Sequence, residues 1–416
     1  MAKNRKTVRK SFTYLQCDDF AAYLSQMAAE GWHFKEWKFG LVFEKGEPEN
    51  AVYAVEVFIN GTDYDMRPGD HTLNFAEYCE AAGWKLVDAR AKFCIFKQIR
   101  TDAVDILTQE ERLKNAAAAY GKNLRIQAVM AIMWLFNLCL RLFPIYSFIE
   151  TIFSGMDLAF AVYSVFFFIY IVSKIIWFCV WKQKARKRCA AGETKILCDA
   201  NETPWNLGSL VLASIAVTGV AITADIWVIG FMIALVALTL LMNLLLNKFR
   251  PDATTNFGIT IAFTVFVIIA AFAAAIASVD YAPKSDVPTE LVSQLYKGSS
   301  GEIGALQNTF YTSSFSAFGA YQRCHLTYED ADFSYDLYET EQDWLLDIVW
   351  DHESSKTKNV APTDCTSLWN TEAAFQNHAG QYYVRCENKI LILDLGENRA
   401  LTAQQVAAIR SALGLE

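Results

Sequence analysis

The sequence has no Cys-x-x-Cys pair, no phosphate-cradling glycine loop, no Gly-x-Ser-x-Gly turn and no kinase or histidine-kinase signature. Its 10 cysteines and 5 histidines offer no two ligands at metal spacing. Metal chemistry, nucleotide hydrolysis and serine-type acyl transfer therefore have no motif to rest on. The expectation is no catalytic residue, no cofactor and no metal. The basic start MAKNRKTVRK is not followed by the apolar stretch of a cleavable signal peptide. The amino terminus is expected to stay in the cytoplasm, its basic arm solvated or touching anionic lipid. The stretch EDADFSYDLYETEQD is rich in carboxylates but lacks the Asp-x-Asp-x-Asp-Gly calcium loop, so it reads as solvated strand edges.

What is present is apolar surface, unevenly spread. The chain has 416 residues, enough for two or three domains, and is 53% hydrophobic and 14% aromatic. Five runs reach the length a helix needs to cross a bilayer: about 124–143, 158–181, 206–224, 226–246 and 257–279. Charges flank them, and no Asp or Glu lies deep in any, which argues against a proton- or cation-coupled transporter. The net charge of -8 divides unequally: residues 1–120 carry 16 Lys+Arg and 18 Asp+Glu, residues 121–280 carry 12 and 8, and residues 281–416 carry 9 and 19. An acidic end and a basic middle do not suit a nucleic-acid binder.

Lys and Arg in the short loops give an orientation. Lys114, Lys122 and Arg125 precede the first span, KQKARKRCAAGETK follows the second, and NKFRPD follows the fourth. PIYSFIETIFSGMD and the turn at Asp225 carry none. The alternation places residues 1–120 in the cytoplasm and residues 281–416 outside, as an odd number of spans requires. If spans three and four were one kinked span, the tail would fall inside. Arg141 and Lys174 sit within apolar spans. They either mark a functional site or snorkel, Arg141 at the outer end and Lys174 toward the inner face past Trp177 and Trp181.

The first hundred residues repeat a pattern. MAAEGWHF (27–34) is echoed by CEAAGWKL (79–86). Phe20, Tyr23, Leu24 and Met27 fall on one helical face, and Phe75, Tyr78, Cys79 and Ala82 share that spacing. Gly31 and Gly83 stand where a left-handed residue ends a helix, and Trp32 and Trp84 follow as core anchors near Met27 and Cys79. HFKEWKFGLVFEK and KLVDARAKFCIFKQI then read as strand pairs, with KSFTYLQ and VYAVEVFI as the strands before each helix. The unit is strand–helix–strand–strand, present twice.

MAAEGWHF, FEKGEPENAVYAVEVF and EAAGWKLVDARAKFCIFK together resemble the bacterial family catalogued as domain of unknown function 2812, over about residues 8–100. The resemblance implies a membrane-tethered cytoplasmic module. It also implies membrane spans after the module and a gene near a PadR-type transcriptional regulator. That family has no established catalytic residue to carry over.

TQEERLKNAAAAYGKN links this module to the first span. Thr108 and Glu111 fit a capping box, and Gly121 is a candidate hinge; the segment is either a rigid coupling helix or a solvated linker. Beyond the spans, DFSYDLYE, DWLLDIVW, QYYVRCEN and KILILDL read as antiparallel strands. LTAQQVAAIRSALG reads as a helix capped by Thr402, with Val406, Ile409 and Leu413 on one face. Cys324, Cys365 and Cys386 would lie outside. One disulfide is possible, Cys365–Cys386 being the first pair to test, unless all three are reduced and buried.

The expected architecture is a membrane protein in four parts: an α+β repeat domain (1–105), a helical linker (106–123), a five-helix transmembrane region (124–280) and an extracytoplasmic α+β domain (281–416). The expected function is signalling or regulation, with a cytoplasmic protein partner and membrane lipid but no nucleic acid. The alternative is a permease or its accessory subunit, using Asn137, Asn243, Lys174 and Thr223.

Overall fold

The computed structural model describes residues 4–223, 226–279, 291–292, 295, 305–329, 332–356, 362–396 and 400–415. The chain divides into two compact units. One comprises Met1–Met133, Phe166–Leu212 and Ile226–Ala273, the other Trp134–Val165, Ala213–Asp225 and Ala274–Glu416.

In the first unit, β1 (Arg5–Val8), α1 (Cys17–Ala29), β2 (Trp32–Trp37) and β3 (Leu41–Lys45) are followed by β4 (Tyr53–Val57), α2 (Asp70–Ala81), β5 (Trp84–Arg90) and β6 (Phe93–Gln98). The strands form two three-stranded antiparallel sheets, of order β1-β3-β2 and β4-β6-β5. Both helices stop at a glycine with positive φ, +82° at Gly31 and +95° at Gly83. The Gly31 N–H donates to Ala28 O and the Gly83 N–H to Glu80 O. Their carbonyls accept from Gly46 and Ile99, which ties each helix end to its hairpin. A β-bulge falls between Phe34 and Glu36 in β2 and between Leu86 and Asp88 in β5, each two residues after the tryptophan. Phe20, Leu24 and Met27 are buried as the helical spacing requires, whereas Tyr78 on α2 is 79% exposed.

One strand is displaced. KSFTYLQ, expected as the first strand, instead contains a 3-10 turn at Tyr14–Gln16, with β1 lying earlier. A reciprocal capping box between Thr13 and Gln16 and burial of Phe12 and Leu15 favour the turn. β1 is an exposed edge strand, RKTV, with too little apolar alternation to announce itself.

The long helices are α3 (Gln109–Leu142), α5 (Gly155–Ala190), α6 (Thr203–Thr223), α7 (Ile226–Phe249) and α8 (Ala253–Val279), with a short α4 (Ile145–Phe153) after α3. Among the described residues four segments are long and apolar enough to cross a membrane: Gln109–Leu142, Gly155–Ala190, Gly230–Phe249 and Ala253–Ala270. α6 covers most of the expected third span, and residues 224–225 lie outside the described residues. α3 runs unbroken through Gly121, so linker and first span form one helix. Its start carries the Thr108–Glu111 box, with the Glu111 N–H donating to Thr108 Oγ1 at 3.3 Å.

The second unit contains a seven-stranded antiparallel sheet of order β10-β11-β12-β13-β9-β8-β7. Its strands are β7 (Leu306–Ser316), β8 (Gly319–Tyr328), β9 (Asp332–Glu339), β10 (Thr363–Asp364), β11 (Ala373–Gln376), β12 (Tyr382–Arg385) and β13 (Lys389–Asp394). Alternate residues face two cores. Phe333, Tyr335, Leu337, Leu391 and Leu393 join Trp369 and the closing helix (Ala403–Leu413) on one face. Tyr321, Tyr338 and Ile390 join Ile149, Ile152 and Phe153 of α4 on the other. The closing helix has its Thr402 cap and buries Val406, Ile409 and Leu413.

DWLLDIVW is not a strand but the start of a helix, Asp343–Ser355. Its buried residues Leu345, Leu346, Val349 and Glu353 repeat at helical spacing, which a period of two over eight residues conceals. β7 and β8 went unread because β7 is mostly exposed and rich in Ser and Thr. The loop APKSDVPTE lies outside the described residues.

Candidate functional site

Three segments of the long-helix region fasten to the repeat module, all within the first unit. The first is α3. Arg112 Nε donates to Glu56 Oε1 at 2.9 Å and Oε2 at 3.0 Å, and Arg112 Nη2 to Asp18 Oδ1 at 2.7 Å. No side chain of this trio is more than 9% exposed. Burial pushes the Glu56 carboxyl up to about 7, with Arg112 pulling the other way. The second segment follows α5. The backbone N–H groups of Ile196 and Leu197 donate to Asp18 Oδ2 at 2.8 and 2.7 Å, and that of Asp199 to Asp19 Oδ2 at 3.1 Å. Asp18 and Asp19 lie in the first turn of α1, where the helix dipole also favours a carboxylate.

The third segment is the turn between α7 and α8. Arg250 takes φ +47° just past α7. Its Nη2 donates to Asp88 Oδ1 at 2.9 Å, its Nε donates to Met66 O, and Nη1 stands 3.7 Å from Glu36 Oε2. Glu36 and Asp88 are the matched bulge residues of β2 and β5. Asp88 Oδ2 also accepts the Trp37 N–H at 2.6 Å, joining the two sheets where Arg250 enters. Arg90 Nη2 donates to Asn247 Oδ1 at 2.6 Å, and the buried Asn256 donates to Tyr64 O at 2.7 Å.

Beside these contacts lies a cavity of about 400 Å³. Phe12, Trp37 and Phe93 form its aromatic wall; Arg90, Tyr120, Gln127, Lys174 and Glu202 supply polar groups. No hydrogen bond of normal geometry reaches Tyr120 Oη, Gln127 Oε1 or Glu202 Oε1. Burial raises the Glu202 carboxyl, with the Tyr120 hydroxyl and Lys174 ammonium pulling the other way. The Gln127 oxygen, the facing Tyr120 and Glu202 groups and the Lys174 ammonium suit a small polar molecule. Among the described residues no cluster of His, Cys, Asp or Glu is arranged to hold a metal ion.

The residues singled out in the sequence divide between structure and site. Gly31 and Gly83 are the helix stops described above. Trp84 is 7% exposed and donates through Nε1 to Val104 O, while Trp32 is half-buried against the core that holds Met27. Arg141 pairs with Asp157 and donates to Asn137 Oδ1 at 3.2 Å. Lys174 lies over the rings of Tyr120 and Tyr170, at 5.9 and 5.8 Å, and lines the cavity. Cys365 and Cys386 are free thiols bordering the core around Trp369. Arg112, Arg250, Glu36, Asp88 and Glu202 were not visible as a site. Arg250 reads in sequence only as a positive loop residue, and Arg112 only as one charge in a polar helix.

A family model described as protein of unknown function (DUF2812) matches residues 16–129. The matched stretch starts at the cap of α1 and extends past the module into α3, so it includes Arg112, Tyr120 and Gln127. No curated protein and no solved structure matches the chain.

Proposed function

We propose that the protein is a multi-pass membrane protein that passes a regulatory signal between an extracytoplasmic α+β domain and a cytoplasmic repeat module. The observation that carries this reading is the three-point fastening of the module through Arg112, Asp18 and Arg250. A module bonded to α3, to the segment after α5 and to the α7–α8 turn is placed to respond when those helices move. The polar cavity at Lys174 and Glu202 gives a small molecule a place to bias that response.

Five crossings, with α6 as the third, put the amino terminus in the cytoplasm and the carboxyl terminus outside. The contacts fit this orientation. The segments near 196 and 250, beside the positive loops, bond to the module, while α4, which has no Lys or Arg, packs on the C-terminal sheet. The two β-α-β-β units are read as copies of one ancestral unit, because the glycine stops and bulges recur at matching places.

A permease is the alternative. Two of the polar residues it would use are engaged along their own helices: Asn137 accepts from Arg141, and Asn243 donates to Thr239 O at 3.0 Å. The side chain of Thr223 lies outside the described residues.

The test is affinity capture of the full chain, tagged at its amino terminus, from membranes solubilised in mild detergent. A PadR-type or other regulator recovered with the native chain and lost with Arg250→Glu supports the reading. Recovery of a nucleotide-binding subunit or a second permease instead would replace it with transport.

A further inference from the structure

The inner parts of α3 and α5 leave a second groove, of about 1030 Å³, lined only by these two helices. Its floor is apolar: Leu113, Ala117, Gly121, Leu124, Ile175 and Phe178. Its rim carries Lys114, Arg125, Lys182 and Arg186 against the single carboxylate of Glu110. Some other cations on the same helices are paired, Arg112 with Asp18, Lys122 with Asp63 and Arg188 with Asp199, while Lys184 and Lys187 of α5 form no ion pair among the described residues and do not line the groove. Among the described residues the four rim cations form no ion pair.

The groove also has a direction. Gly121 of α3 faces the Phe178 ring near its middle. From there α3 runs on toward Leu142 through apolar sequence, and α5 arrives from equally apolar sequence. Lys114, Lys182 and Arg186 lie on the opposite side of that level, toward the module. Arg125 starts deeper, but its Nε donates to Gly121 O at 3.3 Å, one turn back, so its charged head joins the others. Tails at one end and four unpaired cations at the other are the complement of a phospholipid with an anionic head.

We infer that this groove holds one acidic glycerophospholipid from the leaflet beside the module. The acyl chains lie along Leu124, Ile175 and Phe178, and the phosphate sits among Lys114, Arg125, Lys182 and Arg186. This site does not depend on the signalling reading, only on α3 and α5 lying in a bilayer. A soluble acidic peptide would meet the same charges but would leave the apolar deep end uncovered.

The test is native mass spectrometry of the full chain in detergent, titrated with dioleoyl phosphatidylglycerol or dioleoyl phosphatidylcholine. The phosphatidylglycerol adduct is expected to survive and the phosphatidylcholine adduct to be lost. The triple variant Lys114→Gln, Lys182→Gln, Arg186→Gln is expected to bind the acidic lipid about a hundredfold more weakly, roughly fivefold for each removed cation. Ala118→Phe keeps all four cations but blocks the groove, and is also expected to lose the lipid. Unchanged exchange of the module's amides would show that both variants fold. Equal retention of the two lipids, full binding by Ala118→Phe, or displacement by millimolar inorganic phosphate would overturn the assignment.

Discussion

The repeat module and the C-terminal sheet both pack against the chain of the long-helix region, but with different chemistry. The module shares an apolar core with that region, Leu15 and Phe20 joining Leu113, Trp181 and Leu197, and adds buried charge: Arg112 between Asp18 and Glu56, and Arg250 between Glu36 and Asp88. The C-terminal sheet uses α4, which seats Ile149, Ile152 and Phe153 against Tyr321, Tyr338 and Ile390. A buried ion pair contributes little beyond its own desolvation but fails badly when one partner goes. An apolar contact loses stability in proportion to the surface and cavity involved. The module's attachment should therefore depend on pH through its buried carboxylates and little on salt, from which burial shields the pairs.

Removing Arg112 gives the largest effect. Arg112→Leu leaves Asp18 and Glu56 as buried carboxylates with no cation beside them, which costs about 3–5 kcal/mol. Hydrogen exchange at the amides of α1 and β4 should register this loss, and the amides of β9 and β13 should not. If the module amides stayed as protected as before, the charged fastening would carry no weight. Phe153→Ala is the counterpart in the other unit. Phe153 is 0% exposed, and losing its ring should cost about 3–4 kcal/mol, seen at β8 and β9 and unchanged by added salt. Loss of protection at α1 and β4 in Phe153→Ala would erase the contrast.

Gly83→Ala sharpens the comparison inside the module. At φ +95° an added Cβ would stand 2.8 Å from the Ala103 Cβ, so strain and overlap combine. The expected cost is about 1–3 kcal/mol, felt first by α2 and β5. At Gly31 the Cβ would meet Gly46 O at 2.9 Å, and α1 and β2 should respond instead. Each glycine should loosen its own unit more than the other, as measured by exchange at the two sheets.

Local signals made these elements legible, while pairing made others obscure. The glycine stops, the strand pairs after each tryptophan and the Thr402-capped helix rest on residues close in sequence. Their spacing alone gives helix, stop or strand. β1 lies three dozen residues from its partner β3 and has little apolar content, so only the pairing defines it. The helix at Asp343 has so many apolar residues that both periods fit a short window. The candidate site was the least legible. Arg112 meets Glu56 and Asp18 across 56 and 94 residues, and Arg250 meets Asp88 across 162. A lone arginine in a polar or positive segment gives no hint of a partner so distant.

The smallest effect tests whether the module's charged fastening responds to pH. The Glu56 carboxyl stands at about 7, against 4.5 for a solvated glutamate, because burial outweighs the pull of Arg112. A carboxyl raised in the folded state binds a proton more tightly there than in the unfolded chain. Its contribution is fully present below about pH 4.5 and is lost as pH rises through about 7. The module should thus loosen between pH 5 and pH 8. Glu56→Gln keeps the size and an acceptor for Arg112, which still has Asp18. It should change stability by no more than about 1 kcal/mol near pH 5, where Glu56 is protonated in the fold, and remove this slope. α4 has only Glu150 as a titratable carboxylate, but its Tyr146 ring lies 6.4 Å from His352, whose pKa is lowered by burial, so any change at β8 should have the opposite sign, a loss of protection on acidification. A slope that persists in Glu56→Gln would assign the pH response to another group, with Asp19, whose carboxyl burial also raises, as the next candidate.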